Sequence, residues 1–168
     1  MKMGLIVYEI IAWTLVVLCA AMIFSFSGQD GDTSSALSME VTDVVARFVA
    51  PDEAGRDNPS YEALHHGVRK GAHMAVYALW AMLLMAALAP LPFPLRRKLL
   101  LALIVCILYA SADESHQGFV EGRGMAATDV LIDSLGALLG LCAGMLARAF
   151  VLWVTRHGVI RAGGEHKV

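Results

Sequence analysis

The sequence predicts an all-α fold: an integral membrane four-helix bundle with an additional amphipathic interfacial helix in the first outer loop. Three observations carry this. First, 58% of the 168 residues are hydrophobic and 17% charged, against about 45–50% and about 25% in soluble domains, and mean hydropathy is +0.63. Second, the apolar residues arrive in four runs, 4–26, 67–89, 99–115 and 126–154, lengths suited to crossing a hydrocarbon core about 30 Å thick. Third, residues 33–50 are periodic like a helix yet too polar to span. Residues 1–168 are read as a single membrane domain.

The first run follows Lys2 and continues from Gly4 to Phe26. A cleaved signal peptide has an apolar core of about 7–15 residues followed by a small-residue cleavage site. Here Met22, Ile23 and Phe24 extend the run past Ala20-Ala21, so an uncleaved span is expected. Glu9 near its inner end can reach the interface, or pair within the bundle. The run ends in the small polar cluster Ser25-Phe26-Ser27-Gly28-Gln29. Leu37, Val41, Val44, Val45, Phe48 and Val49 then recur at helical offsets, with Ser38, Glu40, Thr42, Asp43 and Arg47 largely opposite. This segment is expected in the interface plane or over the bundle mouth. Residues 51–59, rich in Pro, Asp and Gly, are turn chemistry, and Ser60 is a candidate N-cap.

The second span opens with His65, His66, Arg69, Lys70, His73 and Tyr77 before turning apolar. Lys70, His73 and Tyr77 fall at i, i+3 and i+7, so all three project from one face. His65 and His66 are read as solvated loop residues. Pro90-Leu91-Pro92-Phe93-Pro94 breaks the chain, and Arg96-Arg97-Lys98 forms a basic cluster before the third span. In the fourth, Gly136, Gly140 and Gly144 form a ridge spaced by four, the pattern that lets membrane helices approach closely, within the bundle or between protomers. The tail Arg156–Val168 is polar and expected to fray. Cys19, Cys106 and Cys142 all lie in apolar runs and read as small core residues.

Lys and Arg in the connections orient the chain. Lys2, Arg96, Arg97, Lys98, Arg148, Arg156, Arg161 and Lys167 fall on one face; Arg47, Arg56, Arg69, Lys70 and Arg123 fall on the other. Eight against five places both termini in the cytoplasm, with four crossings. A net charge of −2 leaves no basic face for nucleic acid.

With that topology, each polar cluster lands on the outer side. Asp113, Glu114, His116 and Gln117 are packed into five residues at the end of the third run; Glu121, Arg123, Asp129 and Asp133 follow. Asp129 suits the positive end of a helix dipole. Asp133 lies deeper and needs a partner, from Lys70, Arg69 or Arg123. Three chemistries use these groups. Asp113, Glu114, His73 and His116 could handle protons as catalytic groups. These four, with Asp129 and Asp133, could hold a divalent metal, although no standard ligand spacing such as HExxH is present. In the third, Lys70 and Arg123 would hold an anionic head group, with Ser27, Gln29, Tyr77, Gln117, Asp129 and Asp133 as further binding residues. A structural network that locks the bundle is the alternative. No Gly-rich phosphate loop, GxSxG elbow or CxxC is present.

Four segments carry a resemblance: Phe24-Ser-Phe-Ser-Gly-Gln29, Lys70-Gly-Ala-His-Met-Ala-Val-Tyr77, Ala112-Asp-Glu-Ser-His-Gln-Gly-Phe-Val-Glu-Gly-Arg123 and Asp129-Val-Leu-Ile-Asp-Ser-Leu-Gly-Ala-Leu-Leu-Gly140. Together they resemble the VanZ-like family over most of the chain. Where relatives often have Pro-Gly-Arg, this chain has Glu121-Gly122-Arg123. The resemblance implies a small polytopic membrane protein of the bacterial cell envelope. The family's founding member is associated with low-level teicoplanin resistance. It carries over a setting and a set of residues, and no reaction. The expectation is an outward-facing polar site that binds or processes a lipid or lipid-linked glycan head group.

Overall fold

The structure, a computed structural model, describes residues 2–49 and 55–164. It holds five helices: α1 (Lys2–Ser27), α2 (Gly31–Val49), α3 (Pro59–Leu88), α4 (Leu95–Gln117) and α5 (Ala127–Gly164). No strand is present among the described residues. The fold is all-α. Helices α1, α3 and α5 are long and apolar enough to cross a membrane.

Side-chain contacts set the helix directions. Tyr8 near the start of α1 donates to the Ala86 carbonyl near the end of α3, so these two run antiparallel. Lys98 near the start of α4 donates to Ala89 just beyond α3, a cation placed where the helix dipole is negative. At the opposite end Ser27 of α1 meets Asp113 of α4. Helices α1 and α4 therefore run one way, α3 and α5 the other. At about 1.5 Å per residue, the 23 residues of α4 cover about 34 Å, and they run between the same two ends as the three apolar helices.

Helices α3 and α5 lie closest. Gly136 faces Met74, Gly140 faces Ala78 and Gly144 faces Met82, a parallel register in steps of four. A Cβ at Gly136 or Gly140 would overlap the backbone carbonyl of Met74 or Ala78. The glycine ridge thus serves packing within the bundle. Around it, Tyr77, Trp80 and Tyr109 pack as an aromatic cluster. Trp80, buried, donates to the Val16 carbonyl at 3.0 Å and the half-buried Tyr109 to the Ala20 carbonyl at 2.7 Å, so neither polar tip is stranded. Outward, Ile10, Val17, Leu108 and Leu146 are more than half exposed, the apolar coat expected of a lipid-facing bundle.

Several expectations are corrected. Asn58, not Ser60, caps α3: its side chain accepts the Ser60 N–H at 3.0 Å, and Pro59, which has no N–H to satisfy, occupies the first helical position. The residues 51–54 of the expected turn lie outside the described residues. His65 and His66 are helical, on the first turns of α3. Cys142 is exposed on the bundle surface, whereas Cys19 and Cys106 are buried as expected. The apolar stretch of α5 that can cross a membrane is Ala127–Thr155, close to the expected run, and the helix itself continues to Gly164; Glu165–Val168 lie outside the described residues.

The α2 helix packs by its small residues, with Leu37 and Val41 at the edge of its inner face. Thr42 and Ala46 are its buried residues, and Ser34 and Ser38 line the same inward face, every fourth residue. Leu37, Val41, Val44 and Phe48 are exposed, Phe48 at 85%. Thr42 and Ala46 pack in the second half of α2, whereas Ser34 and Ser38 line a cavity; Ser38 donates to Ser34 O and Thr42 to Ser38 O.

Candidate functional site

The polar residues of four elements converge at one end of the bundle. The end of α1 supplies Ser27, and the end of α4 supplies Asp113, Glu114 and Gln117. The start of α5 supplies Asp133, and α3 supplies His73 and Tyr77. Of these, all but His73 are buried. Asp113 Oδ2 accepts from Ser27 Oγ at 2.8 Å and from Gln117 Nε2 at 3.2 Å, and that amide also reaches Ser27 Oγ at 3.3 Å. This closed triangle joins α1 to α4. Glu114 Oε1 accepts the Ala126 N–H at 2.5 Å and so fastens the residue that precedes α5.

The loop between α4 and α5 is held to the start of α2. Gly122 has φ +73°, which only glycine adopts without strain. Its backbone packs against Gly31, whose N–H donates to Glu121 O at 3.1 Å. Arg123 reaches back with one Nη to the Ser27 carbonyl at 3.1 Å and with the other to Ser34 Oγ. Burial lowers the Arg123 guanidinium below its ordinary range, and the nearby Arg69 charge adds to this.

Asp133 finds its partner in His73, with Oδ1 3.7 Å from Nδ1, rather than in Lys70, Arg69 or Arg123. Lys70 instead pairs with the more exposed Asp129 at 3.3 Å. That assignment follows from the parallel register of α3 and α5: one helical turn deeper on α3 meets one turn deeper on α5. Tyr77 Oη, Asp113 Oδ1 and Asp133 Oδ1 are buried without a hydrogen-bond partner, a costly arrangement in a dry site.

Two cavities meet at this end. A polar one of about 290 Å³ is lined by Lys70, His73, Gln117, Arg123, Asp129 and Asp133, with His66 and Arg69. A mainly apolar one of about 340 Å³ lies between α1, α2 and α3, lined by Ile23, Leu37, Val41, Val76 and others, and reached by Ser27, Gln29 and Tyr77. Arg69 and His73 line both.

Of the residues expected to handle protons, only His73 lines a cavity; Asp113, Glu114 and His116 line neither. His116 stacks on Phe24 with ring centroids 4.5 Å apart, and its Nδ1 is buried without a partner. The binding residues expected from sequence are brought to the cavities, Ser27, Gln29 and Tyr77 at the apolar one alone. No group of three or more His, Cys, Asp or Glu among the described residues could hold a metal ion, so the metal reading has no ligand set there. Sequence reasoning passed over Ser34 and gave Arg69 no binding role. No hydrogen bond or ion pair engages Arg69 among the described residues, and its i−1 position to Lys70 was the available signal.

An all-α bundle with three membrane-spanning-length helices and a buried polar end defines a membrane protein whose ionisable groups gather at one depth. The sequence profile of the VanZ/LLP1 family matches residues 12–149, well over half of the chain, and the protein belongs to that family. No curated protein and no solved structure matches it significantly.

Proposed function

We propose that the protein binds the anionic head group of an envelope lipid or lipid-linked glycan in the polar cavity. The bundle crosses the bacterial plasma membrane four times with both termini in the cytoplasm, so this cavity faces outward at head-group level. The observation that carries the reading is the 290 Å³ polar cavity itself, where Arg69, Lys70 and Arg123 sit together beside His73. Three cationic side chains in one partly desolvated recess suit a phosphate or carboxylate, each able to form charge-assisted hydrogen bonds. Arg69 is the group with no protein partner to give up. The His73–Asp133 pair lies deeper and orients the imidazole edge toward the bound group.

One observation favours the second reading, a non-catalytic interaction protein with a structural polar cluster. The Ser27–Asp113–Gln117 triangle and the Glu114–Ala126 bond are closed on themselves. In the proposal these residues hold the frame, and the cavity cations do the binding.

The test is glycopeptide susceptibility of a sensitive Gram-positive host carrying the protein, beside Arg69→Gln and Asp113→Asn variants matched for membrane abundance. Protection against teicoplanin but not vancomycin, lost in Arg69→Gln, is the expected result and supports a contribution to resistance through envelope lipids. No protection from the wild type removes the resistance role. Protection retained in full by Arg69→Gln overturns the cavity as its source.

A further inference from the structure

We propose that the ligand is an anionic amphiphile, whose apolar chain lies in the cavity beneath α2 while its head occupies the polar cavity. This rests on the head-group reading and adds a second chamber to it. The apolar cavity holds about 340 Å³, inside the range of about 300–1,000 Å³ typical of small-molecule sites. It opens outward past Phe26, Leu37 and Val41, each about half exposed, so a chain from the surrounding lipid can enter it.

Here closure is prevented by the way α2 is held. Its first turn is fixed by Gly31 to Glu121 and by Ser34 to Arg123. Its second half is fixed where Tyr61 donates to Asp43 at 2.5 Å and Arg56 to the same carboxylate at 2.6 Å. Between these anchors the inward residues Ser34 and Ser38 are too small to reach α1 and α3, and the gap remains. Its walls are Ile23, Leu37, Val41 and Val76, which suit an alkyl chain.

The two chambers share Arg69 and His73. An unpaired guanidinium at the seam between an apolar and a polar chamber is the position that the phosphate of a lipid would take, with its chain running one way and its substituent the other. A soluble anion would leave the larger chamber empty.

The experiment uses the full chain in dodecyl maltoside micelles and follows thermal unfolding with added inorganic phosphate or dodecyl phosphate. Dodecyl phosphate is expected to reach half-saturation at a concentration about tenfold or more below that of inorganic phosphate, equivalent to about 1.4 kcal/mol or more. Ala72→Trp fills the apolar chamber from α3 and is expected to abolish that advantage while leaving the phosphate response. Leu37→Trp repeats the test from α2, in case Ala72→Trp lowers the ligand-free melting temperature. Arg69→Gln is expected to abolish both responses. Equal half-saturation by the two ligands, or an advantage that survives the tryptophan variants as simple micelle partitioning does, overturns the chain chamber and leaves the head-group reading standing. No response to either ligand sinks both.

Discussion

Ser27, the last residue of α1, donates to Asp113 on α4 across 2.8 Å, and both side chains are at least 96% buried. The contact spans 86 residues of sequence and fixes the end of the most peripheral apolar helix to the centre of the polar cluster. Removing one partner of a buried hydrogen bond costs about 1–3 kcal/mol when it strands the other. Ser27→Ala is expected to cost about 1 kcal/mol, since Gln117 still donates to Asp113. Asp113→Ala, which removes the acceptor of both Ser27 and Gln117 and leaves the amide only its longer bond to Ser27 Oγ, is expected to cost about 2–3 kcal/mol. Melting temperatures in detergent, with membrane abundance alongside, check the order. Equal tolerance of both variants would show that the triangle is not part of the frame.

Along the α3–α5 contact, Gly140 has its Cα against the Ala78 carbonyl, whereas Gly144 has only Met82 Cγ within reach, at 3.9 Å. Gly140→Ala forces the helices apart and is expected to destabilise by about 1–3 kcal/mol, in the manner of an overpacked core. Gly144→Ala is expected to stay within about 0.5 kcal/mol. If the ridge mediated contact between protomers, Gly144→Ala would change the oligomer instead; crosslinking in native membranes reads that outcome.

At the far end of α2, the Arg56 charge and the Tyr61 hydroxyl hold the Asp43 carboxyl at about 2, below its ordinary 3.8. A carboxylate with a lowered folded pKa stabilises the fold above its unfolded value and loses that contribution as pH falls toward the folded one. The clasp is therefore intact at pH 5 and opens between about pH 4 and pH 2. It is exposed, so the effect is modest and screened by salt. Hydrogen exchange across α2 is expected to be faster in Asp43→Asn than in wild type at pH 5, with the two converging near pH 2. A constant difference across that range would exclude Asp43 as the titrating group.

Much of this was legible in the sequence because it depends on spacing alone. Four apolar runs, the breaks at Gln29 and Pro90–Pro94, and the step of four from Gly136 to Gly144 each follow from helix geometry. The convergence of Ser27, His73, Gln117 and Asp133 followed from placing those runs side by side. What spacing does not encode is pairing. Asp133 had three cations as candidate partners, and only the parallel register of α3 and α5 gives it to His73 and gives Asp129 to Lys70. Which face of α2 turns inward is likewise not set by its pattern. In water an apolar stripe turns inward, but at a membrane surface Val44 and Phe48 can face lipid while Thr42 and Ala46 pack. The cavities were invisible, since a void is set by what the anchored ends of α2 hold apart.

The deepest ionisable contact, His73 with Asp133, yields an asymmetric prediction. Asp133 is 2% exposed and its Oδ1 has no hydrogen bond; the His73 imidazole lies 3.7 Å from it and makes an ion pair with it only when protonated. Removing one of two polar neighbours leaves the other buried group without its partner, at a cost of about 1–3 kcal/mol. His73 is about one-third exposed and can be hydrated when alone, whereas Asp133 cannot. His73→Leu is therefore expected to cost more than Asp133→Leu, by about 1 kcal/mol within that range. The double variant is expected to cost less than the sum of the two, with a coupling of about 0.5–3 kcal/mol as found for residues in contact. Thermal unfolding of all four proteins at one pH completes the cycle. Strict additivity would mean that the two side chains are neighbours without an energetic link, and the imidazole would then be free to serve the cavity alone.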